Sequence, residues 1–315
     1  MKVLVTDPVA EEALNLLREK HEVVFEELRG EELAKEIGKY DALMVRSATK
    51  VTKDIIEKAE NLKVIGRAGI GVDNIDVEAA SQRGIYVVNS PTGSTRSVAE
   101  LTFALMFAVA RKIHIADATM RQGIWAKKKL KGIELMNKTL GLIGSGNIAQ
   151  EVAKMANCLG MKVLVYSPHC TEEKARKMGA ELRSLEEIFR EADFVSLHIP
   201  KTEETYHMID ERLLSLMKPT AYLINAARGG VVDEEALYKV LKEGKIAGAA
   251  IDVYEKEPPE KSPLFELENV VFTPHIGAAT KEGQIRAGTI CAEQILKVLD
   301  GKEPDFWVNR HMMKS

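Results

Sequence analysis

Cysteine is scarce in this chain: Cys158, Cys170 and Cys291 stand far apart with no CxxC pair, which leaves no disulfide framework. Reduced structural thiols, a cytoplasmic setting and no metal site are the expectation. Aromatics make up only 5% of the residues, so the core has to come from Val, Ile, Leu, Ala and Met. No charge of one sign dominates, with 44 Lys and Arg against 47 Asp and Glu. That balance argues against a nucleic-acid sleeve or a membrane-surface binder. Long hydrophobic runs are missing too. The most apolar stretch, Ser97–Ala110, contains Glu100 and is shorter than the ~20 residues of a bilayer span, so a buried helix is expected there. Near the start, Asp7 comes too early for the apolar stretch of a signal peptide.

What is present is an alternation of short apolar strands and helical stretches over 315 residues, a length that suggests two domains. Strands are expected at Val3–Val5, Val23–Phe25, Ala42–Val45, Val64–Ile65 and Tyr86–Val88. A second series is expected at Thr139–Ile143, Lys162–Tyr166, Phe194–Leu197, Ala221–Ile224, Ile246–Ala250 and Val270–Phe272. Continuous apolar strands between helices indicate parallel βαβ units covered on both faces. The fold class is therefore α/β, with two doubly wound parallel-sheet domains. One long helix, Ser97–Arg121, is expected to lead from the first unit into the second. A last helix, Lys281–Leu299, ends at Gly301 and is expected to return to the first. The division predicted on this basis is residues 1–96 with 286–315, and 97–285.

The run Leu140–Ala149 contains the fingerprint G-x-G-x-x-A in Gly144, Gly146 and Ala149, after an apolar strand and before a helical run. Gly144 permits a tight turn, Gly146 lets backbone N–H groups approach a pyrophosphate, and Ala149 lets helix and strand pack closely. The helix N-terminus then turns partial positive charge toward the phosphates. Such a loop binds a dinucleotide. The acidic residue expected ~20 positions on, to hold the adenosine ribose, is missing. Ser167 follows the strand Lys162–Tyr166 instead, which leaves NADP open beside NAD, although no Arg lies within Ser167–Thr171 to clamp a phosphate.

Longer blocks add a family. Val45–Thr52, Gly66–Asp76, Asn225–Glu234, Asp252–Pro259 and Thr273–Thr280 together make the chain resemble the D-isomer-specific 2-hydroxyacid dehydrogenases over nearly its whole length, most closely their phosphoglycerate dehydrogenase branch. The resemblance implies a Rossmann nucleotide-binding domain and a flavodoxin-like substrate domain with a cleft between them. It also implies that Arg228 binds the substrate carboxylate and keto oxygen, that His275 exchanges the hydroxyl proton and that Glu257 is its partner. Asn147 and Ile148 then meet the pyrophosphate, Ser167 the ribose, and Ile199 with Pro200 covers the adenosine. Asp252 lies on the nicotinamide side, with Ala226, Gly277 and Ala278 as further cofactor positions. The backbone at Gly69 and Ile70 holds the substrate carboxylate.

These residue types suit the chemistry. Removing a hydride from a hydroxyl-bearing carbon needs a base for the hydroxyl proton and a cation for the carbonyl oxygen that develops. Histidine titrates in the working range, a carboxylate beside it orients the ring, and an Arg fork reads a carboxylate with two hydrogen bonds. Taken alone, His275 is an ordinary loop histidine, Glu257 a solvated turn residue, and Arg228 a cap on strand-end carbonyls. All three, however, lie just beyond predicted strand ends, where doubly wound sheets bind ligands.

Arg46, Ser47 and Arg67 are the expected contacts to the substrate, with Lys50 and Lys127–Lys129 as further cations for a phosphate group. The expected reaction is oxidation of 3-phosphoglycerate to 3-phosphohydroxypyruvate, the opening of serine synthesis. The alternatives are an NAD(P)H-dependent glyoxylate or hydroxypyruvate reductase and, from another class, a dinucleotide-sensing protein like the corepressors of this fold. The chain stops soon after its last helix, so no C-terminal regulatory domain is expected. The apolar surface of Ser97–Arg121 predicts a homodimer.

Overall fold

The computed structural model describes residues 1–313. It divides into two compact units, Met1–Ser97 with Ala278–Ser315, and Val98–Gly277. Lys314 and Ser315, the last residues of the predicted segment 286–315, lie outside the described residues.

The first unit is built on five strands, β1 (Lys2–Val5), β2 (Glu22–Phe25), β3 (Ala42–Val45), β4 (Val64–Arg67) and β5 (Tyr86–Asn89), all parallel, in the order β2-β1-β3-β4-β5. That is the flavodoxin-type winding. The helix Lys281–Leu299 lies on one face with Glu11–Arg18, burying Cys291, Ala292 and Ile295 against Val3, Val5 and Val64. A side chain at Gly66 would stand 2.6 Å from Ile295 Cδ1, so this glycine is what lets the helix approach β4. Thr280 caps the helix, and its hydroxyl lies 2.7 Å from Ser97 Oγ, so the whole helix from its first turn belongs to this unit. Beyond it, the buried Asn309 accepts the Val87 N–H and donates to the Ile85 carbonyl, and Trp307 bridges to Val88 at the sheet edge. No strand was expected there.

The second unit has seven parallel strands, β6 (Thr139–Ile143), β7 (Lys162–Tyr166), β8 (Glu181–Leu182), β9 (Phe194–Leu197), β10 (Tyr222–Asn225), β11 (Gly248–Ile251) and β12 (Val270–Phe272). Their order, β12-β11-β10-β9-β6-β7-β8, is the Rossmann winding with one strand added, and the chain reverses direction between β6 and β9. Two apolar clusters cover the two faces of this sheet.

The expected single helix Ser97–Arg121 is two helices, Thr95–Ala110 and Ile113–Arg121. A continuous helix needs the Ala110 carbonyl to accept from His114. That carbonyl instead accepts the Ile133 N–H at 3.1 Å, and Lys112 turns left-handed at φ 52° to restart the chain. β8 has only two residues, too few for the sequence pattern to reveal. Among the described residues no helix is long and apolar enough to cross a membrane.

Candidate active site

In the second unit the predicted catalytic residues sit just past the ends of β10, β11 and β12. The buried Asn225 closes β10, and its side chain shapes the turn that follows. Its Oδ1 accepts the Ala227 N–H at 3.1 Å, and its Nδ2 donates to the Arg228 carbonyl at 3.2 Å. Arg228, half-buried, donates from Nη1 to the Ala227 carbonyl at 2.7 Å.

Past β11, Asp252 is fully buried and spends its carboxylate on the loop after β12. It accepts from Thr273 Oγ1 at 2.6 Å, the Ile276 N–H at 2.8 Å and the Gly277 N–H at 2.9 Å, while its carbonyl accepts the His275 N–H. These bonds fix the loop that carries His275, whose backbone is left-handed at φ 52°. A histidine held there is under local strain of the kind functional loops retain. Its Nδ1 lies 2.6 Å from Glu257 Oε2, and Glu257 Oε1 accepts the Tyr254 N–H at 3.1 Å. Burial of the Glu257 carboxyl opposes ionisation. The bond to the His275 ring, the Tyr254 N–H and the charges of His275 and Arg228 outweigh it, holding the group below its ordinary value. Arg228, Glu257 and His275 are thus brought into one electrostatic neighbourhood.

Behind them the loops clasp each other. The Glu234 N–H donates to Glu255 Oε1 and the Glu255 N–H to Glu234 Oε1, a reciprocal pair, and His207 Nε2 lies 2.8 Å from the same Glu255 oxygen. Burial, with the Glu255 charge nearby, raises the Glu234 carboxyl. Tyr254, buried between these loops, donates from its hydroxyl to the Thr273 carbonyl. Burial and the charges of Asp252, Glu234 and Glu257 push that hydroxyl up to about 12. The roles of Tyr254, Glu234 and His207 escaped sequence reasoning, because each acts through a partner more than 15 residues away.

The predicted phosphate loop follows β6. Gly144 has φ +114°, and a side chain on it would stand 2.3 Å from the His198 carbonyl at the end of β9, so strand reversal and glycine coincide here. At Gly146 an added Cβ would meet nothing within 4 Å; the backbone is open at the start of the helix Asn147–Cys158. Ala149 is fully buried beneath it. An exposed cradle on a helix N-terminus fits a pyrophosphate. Ile148 is half-buried in the first turn, Ser167 half-buried past β7, and Ile199 and Pro200 follow β9. Ala226 is buried past β10, Gly277 is buried beside Asp252, and Ala278 is exposed as the first residue back in the first unit. His198 is half-buried, with Nε2 2.9 Å from the Ser196 hydroxyl and Nδ1 out of water and unpartnered; burial pushes the ring down to about 4, so it is neutral.

The expected substrate contacts all lie in the first unit, Arg46 and Ser47 just past β3, Arg67 at the end of β4, and Gly69 and Ile70 just past it. A buried carboxylate, Asp7, organises the first of these loops. It accepts the backbone N–H of Arg46 at 2.5 Å and the Thr49 hydroxyl, and pairs with the Arg29 guanidinium at 2.7 Å. Arg46's own guanidinium donates to the Pro8 carbonyl, so Asp7 does not neutralise it. The Arg67 guanidinium folds over Gly69, where a side chain would stand 1.9 Å from Nη1, and Asn89 fixes the Ile70 carbonyl at 2.6 Å. Lys127–Lys129 form an exposed turn of the second unit, and Lys50 is exposed in the first.

Residues 103–277 match the family described as D-isomer specific 2-hydroxyacid dehydrogenase, NAD binding domain. The chain is 54% identical to D-3-phosphoglycerate dehydrogenase of Methanocaldococcus jannaschii over 98% of its own length and 59% of that protein's. It is 50% identical to hydroxypyruvate reductase of Thermotoga maritima, over 95% of this chain and 98% of the other. The crystal structure of TT0316 protein from Thermus thermophilus superposes with a TM-score of 0.89 at 39% identity, over 98% of this chain and all of that one. The chain spans about three fifths of the length of the first phosphoglycerate dehydrogenases that it matches, 59% and 58%. With its two parallel sheets, its phosphate loop and its Arg228, Glu257 and His275, this chain belongs to the D-isomer specific 2-hydroxyacid dehydrogenase family.

Proposed function

We propose that the chain moves a hydride between a nicotinamide cofactor and a D-2-hydroxy acid, with 3-phosphoglycerate and 3-phosphohydroxypyruvate as its natural pair. The observation that carries this reading is the 2.6 Å contact of His275 Nδ1 with Glu257 Oε2, within reach of the Arg228 charge. The bound nicotinamide supplies the hydride chemistry, and the protein supplies position and charge. In the oxidising direction His275 takes the hydroxyl proton at Nε2, the nitrogen turned away from Glu257. The ionised Glu257 balances the charge that the ring gains. Arg228 draws the hydroxyl oxygen and the neighbouring carboxylate into register and steadies the carbonyl as it forms. In the reducing direction the proton returns from His275 to the same oxygen.

The remaining positions follow from that assignment. Gly144, Gly146, Asn147 and Ile148 receive the pyrophosphate, Ser167 faces the ribose, and Ile199 and Pro200 cover the adenosine. Ala226, Asp252, Gly277 and Ala278 border the nicotinamide. The Gly69 and Ile70 backbone holds the substrate carboxylate, and Arg46, Ser47 and Arg67 attract its phosphate. The dinucleotide belongs to the second unit, and substrate selection to residues 1–96 with the returning C-terminal segment. The setting is cytoplasmic. The working form is a homodimer, because Ile113, Met120, Ile124 and Trp125 expose apolar surface, Trp125 to 76%.

One observation favours a second reading: the chain is 50% identical to the Thermotoga maritima protein named hydroxypyruvate reductase, close to its 54% identity with the Methanocaldococcus jannaschii phosphoglycerate dehydrogenase. Steady-state kinetics on 3-phosphoglycerate, hydroxypyruvate and glyoxylate, each with both cofactors, separates the two. Highest kcat/KM on the phosphorylated pair supports the proposal. Turnover of hydroxypyruvate or glyoxylate at least tenfold better supports the reductase. No turnover of any 2-hydroxy or 2-keto acid returns the chain to a dinucleotide sensor.

A further inference from the structure

The loop after β6 has a second feature besides its open backbone at Gly146. Ser145, buried between Gly144 and Gly146, receives at its hydroxyl the ammonium of Lys174, with Nζ to Oγ at 3.0 Å. Lys174 comes from the segment after β7, and the two segments are tied where β7 ends by the Gly144 N–H on the Tyr166 carbonyl at 2.7 Å. Both ends of the Lys174 contact are fixed: Gln150 donates to the Ser145 carbonyl, and Thr171 accepts the Lys174 N–H. Three nearby cations are neutralised, Lys177 by Glu173 at 2.7 Å, Lys162 by Glu181 at 3.3 Å and Arg183 by Glu181 at 2.6 Å, while Arg176 on the same helix is exposed to solvent. Among the described residues Lys174 forms no ion pair; its ammonium meets only a neutral hydroxyl. Ser167, another neutral hydroxyl, stands directly past β7 where an acid would repel a phosphate.

We propose that Lys174, with Ser145 and Ser167, forms the site for the 2′-phosphate of the adenosine ribose, and that the chain prefers NADP(H) to NAD(H). This rests on the reading that the loop after β6 binds a nicotinamide dinucleotide. Lys174, a half-buried residue whose ammonium lacks a counter-charge, stands between the loop after β6 and the end of β7, where a dianionic group at the 2′ oxygen would match it. The pyrophosphate itself is met by the Gly146 backbone and the helix Asn147–Cys158.

Calorimetric binding to the full chain tests this with two pairs of probes that differ only in the 2′-phosphate: NADP+ against NAD+, and 2′,5′-ADP against 5′-AMP. Each phosphorylated member should bind the unaltered protein at least tenfold tighter. Lys174→Ala should reduce that advantage by roughly ten- to a hundredfold, the range for a hydrogen bond to a charged group. Lys174→Arg should keep most of it, and Ser167→Asp should reverse it. Circular dichroism confirms that each variant is folded. Equal binding of both members to the unaltered protein, or weakening of both alike by Lys174→Ala, overturns the proposal. Binding of neither pair overturns it together with the dinucleotide reading. Tight 2′,5′-ADP binding with no turnover of any 2-hydroxy or 2-keto acid removes the catalytic reading and leaves this site standing.

Discussion

Gly229 lies against Tyr254 so closely that a methyl group on its α-carbon would stand 1.6 Å from the Tyr254 carbonyl oxygen. The contact joins the turn that presents Arg228 to the turn that presents Glu257, and its other side is backbone, which cannot swing aside. Gly229→Ala therefore has to push the two turns apart, at a cost of about 3 kcal/mol or more. Thermal denaturation should show a lowered Tm, and kcat should fall along with it. An unchanged Tm would mean that the two turns are not held together here.

The two glycines of the phosphate loop should behave oppositely. Gly144→Ala meets the His198 carbonyl at 2.3 Å with φ +114°, so it should destabilise the fold. Gly146→Ala has φ −73° and open space around it, so it should leave the Tm within about 1 °C, a surface-like effect. On the proposed placement of the pyrophosphate its methyl group would stand in the way, and dinucleotide affinity should drop by about tenfold or more. Fluorescence titration with NADH and NADPH, set beside the melting curves, reads both effects.

Glu257 bonds His275 through one oxygen and the Tyr254 N–H through the other. Glu257→Gln preserves the shape of that arrangement and removes its charge. We expect kcat to drop on the order of 10²-fold, within the range of acid–base contributions, with KM for the keto acid changed much less. A proportionate rise in KM with kcat intact would make Glu257 a substrate contact instead.

His198 gives stability a pH dependence of known sign. Burial depresses its folded value to about 4, while the unfolded chain titrates at the ordinary 6.5. Between those values the unfolded state binds the extra proton, so stability is complete above about 6.5, declines as pH falls toward 4 and levels off below. The decline attributable to this ring is roughly 3 kcal/mol, from about 1.4 kcal/mol per pH unit. Urea denaturation at pH 7, 6, 5 and 4 should show a shallower pH dependence for His198→Gln than for the unaltered protein. Parallel curves would place the ring in contact with water.

Much of this was legible in the sequence. Ala42–Val45, Thr139–Ile143 and Phe194–Leu197 have the predicted limits because continuous apolar runs in a doubly covered sheet leave little room for another assignment. The glycine fingerprint marked the point where the sheet reverses, since only glycine tolerates the approach of the His198 carbonyl to Gly144. The family blocks nominated Arg228, Glu257 and His275, and the structure brings the three near one another without testing their roles. What stayed hidden depends on long-range partners. The break at Lys112 arises because Ile133 captures the Ala110 carbonyl, and nothing near residue 112 announces it. Asp7 looked like an early acid and proves to be the buried anchor of the Arg46 loop. Asn309 binds the edge of β5 from 222 residues away. Lys174 lies beyond Ser167–Thr171, and only the helix that follows carries it back to Ser145.

The central claim is that His275 handles the proton and takes no part in holding the cofactor. Its most direct test is His275→Ala assayed twice, by steady-state reduction of the preferred 2-keto acid and by dinucleotide titration. The account predicts a fall in kcat of about 10²- to 10⁴-fold, with dinucleotide Kd changed less than about threefold. Turnover near that of the unaltered protein, or loss of dinucleotide binding in equal measure, would contradict it.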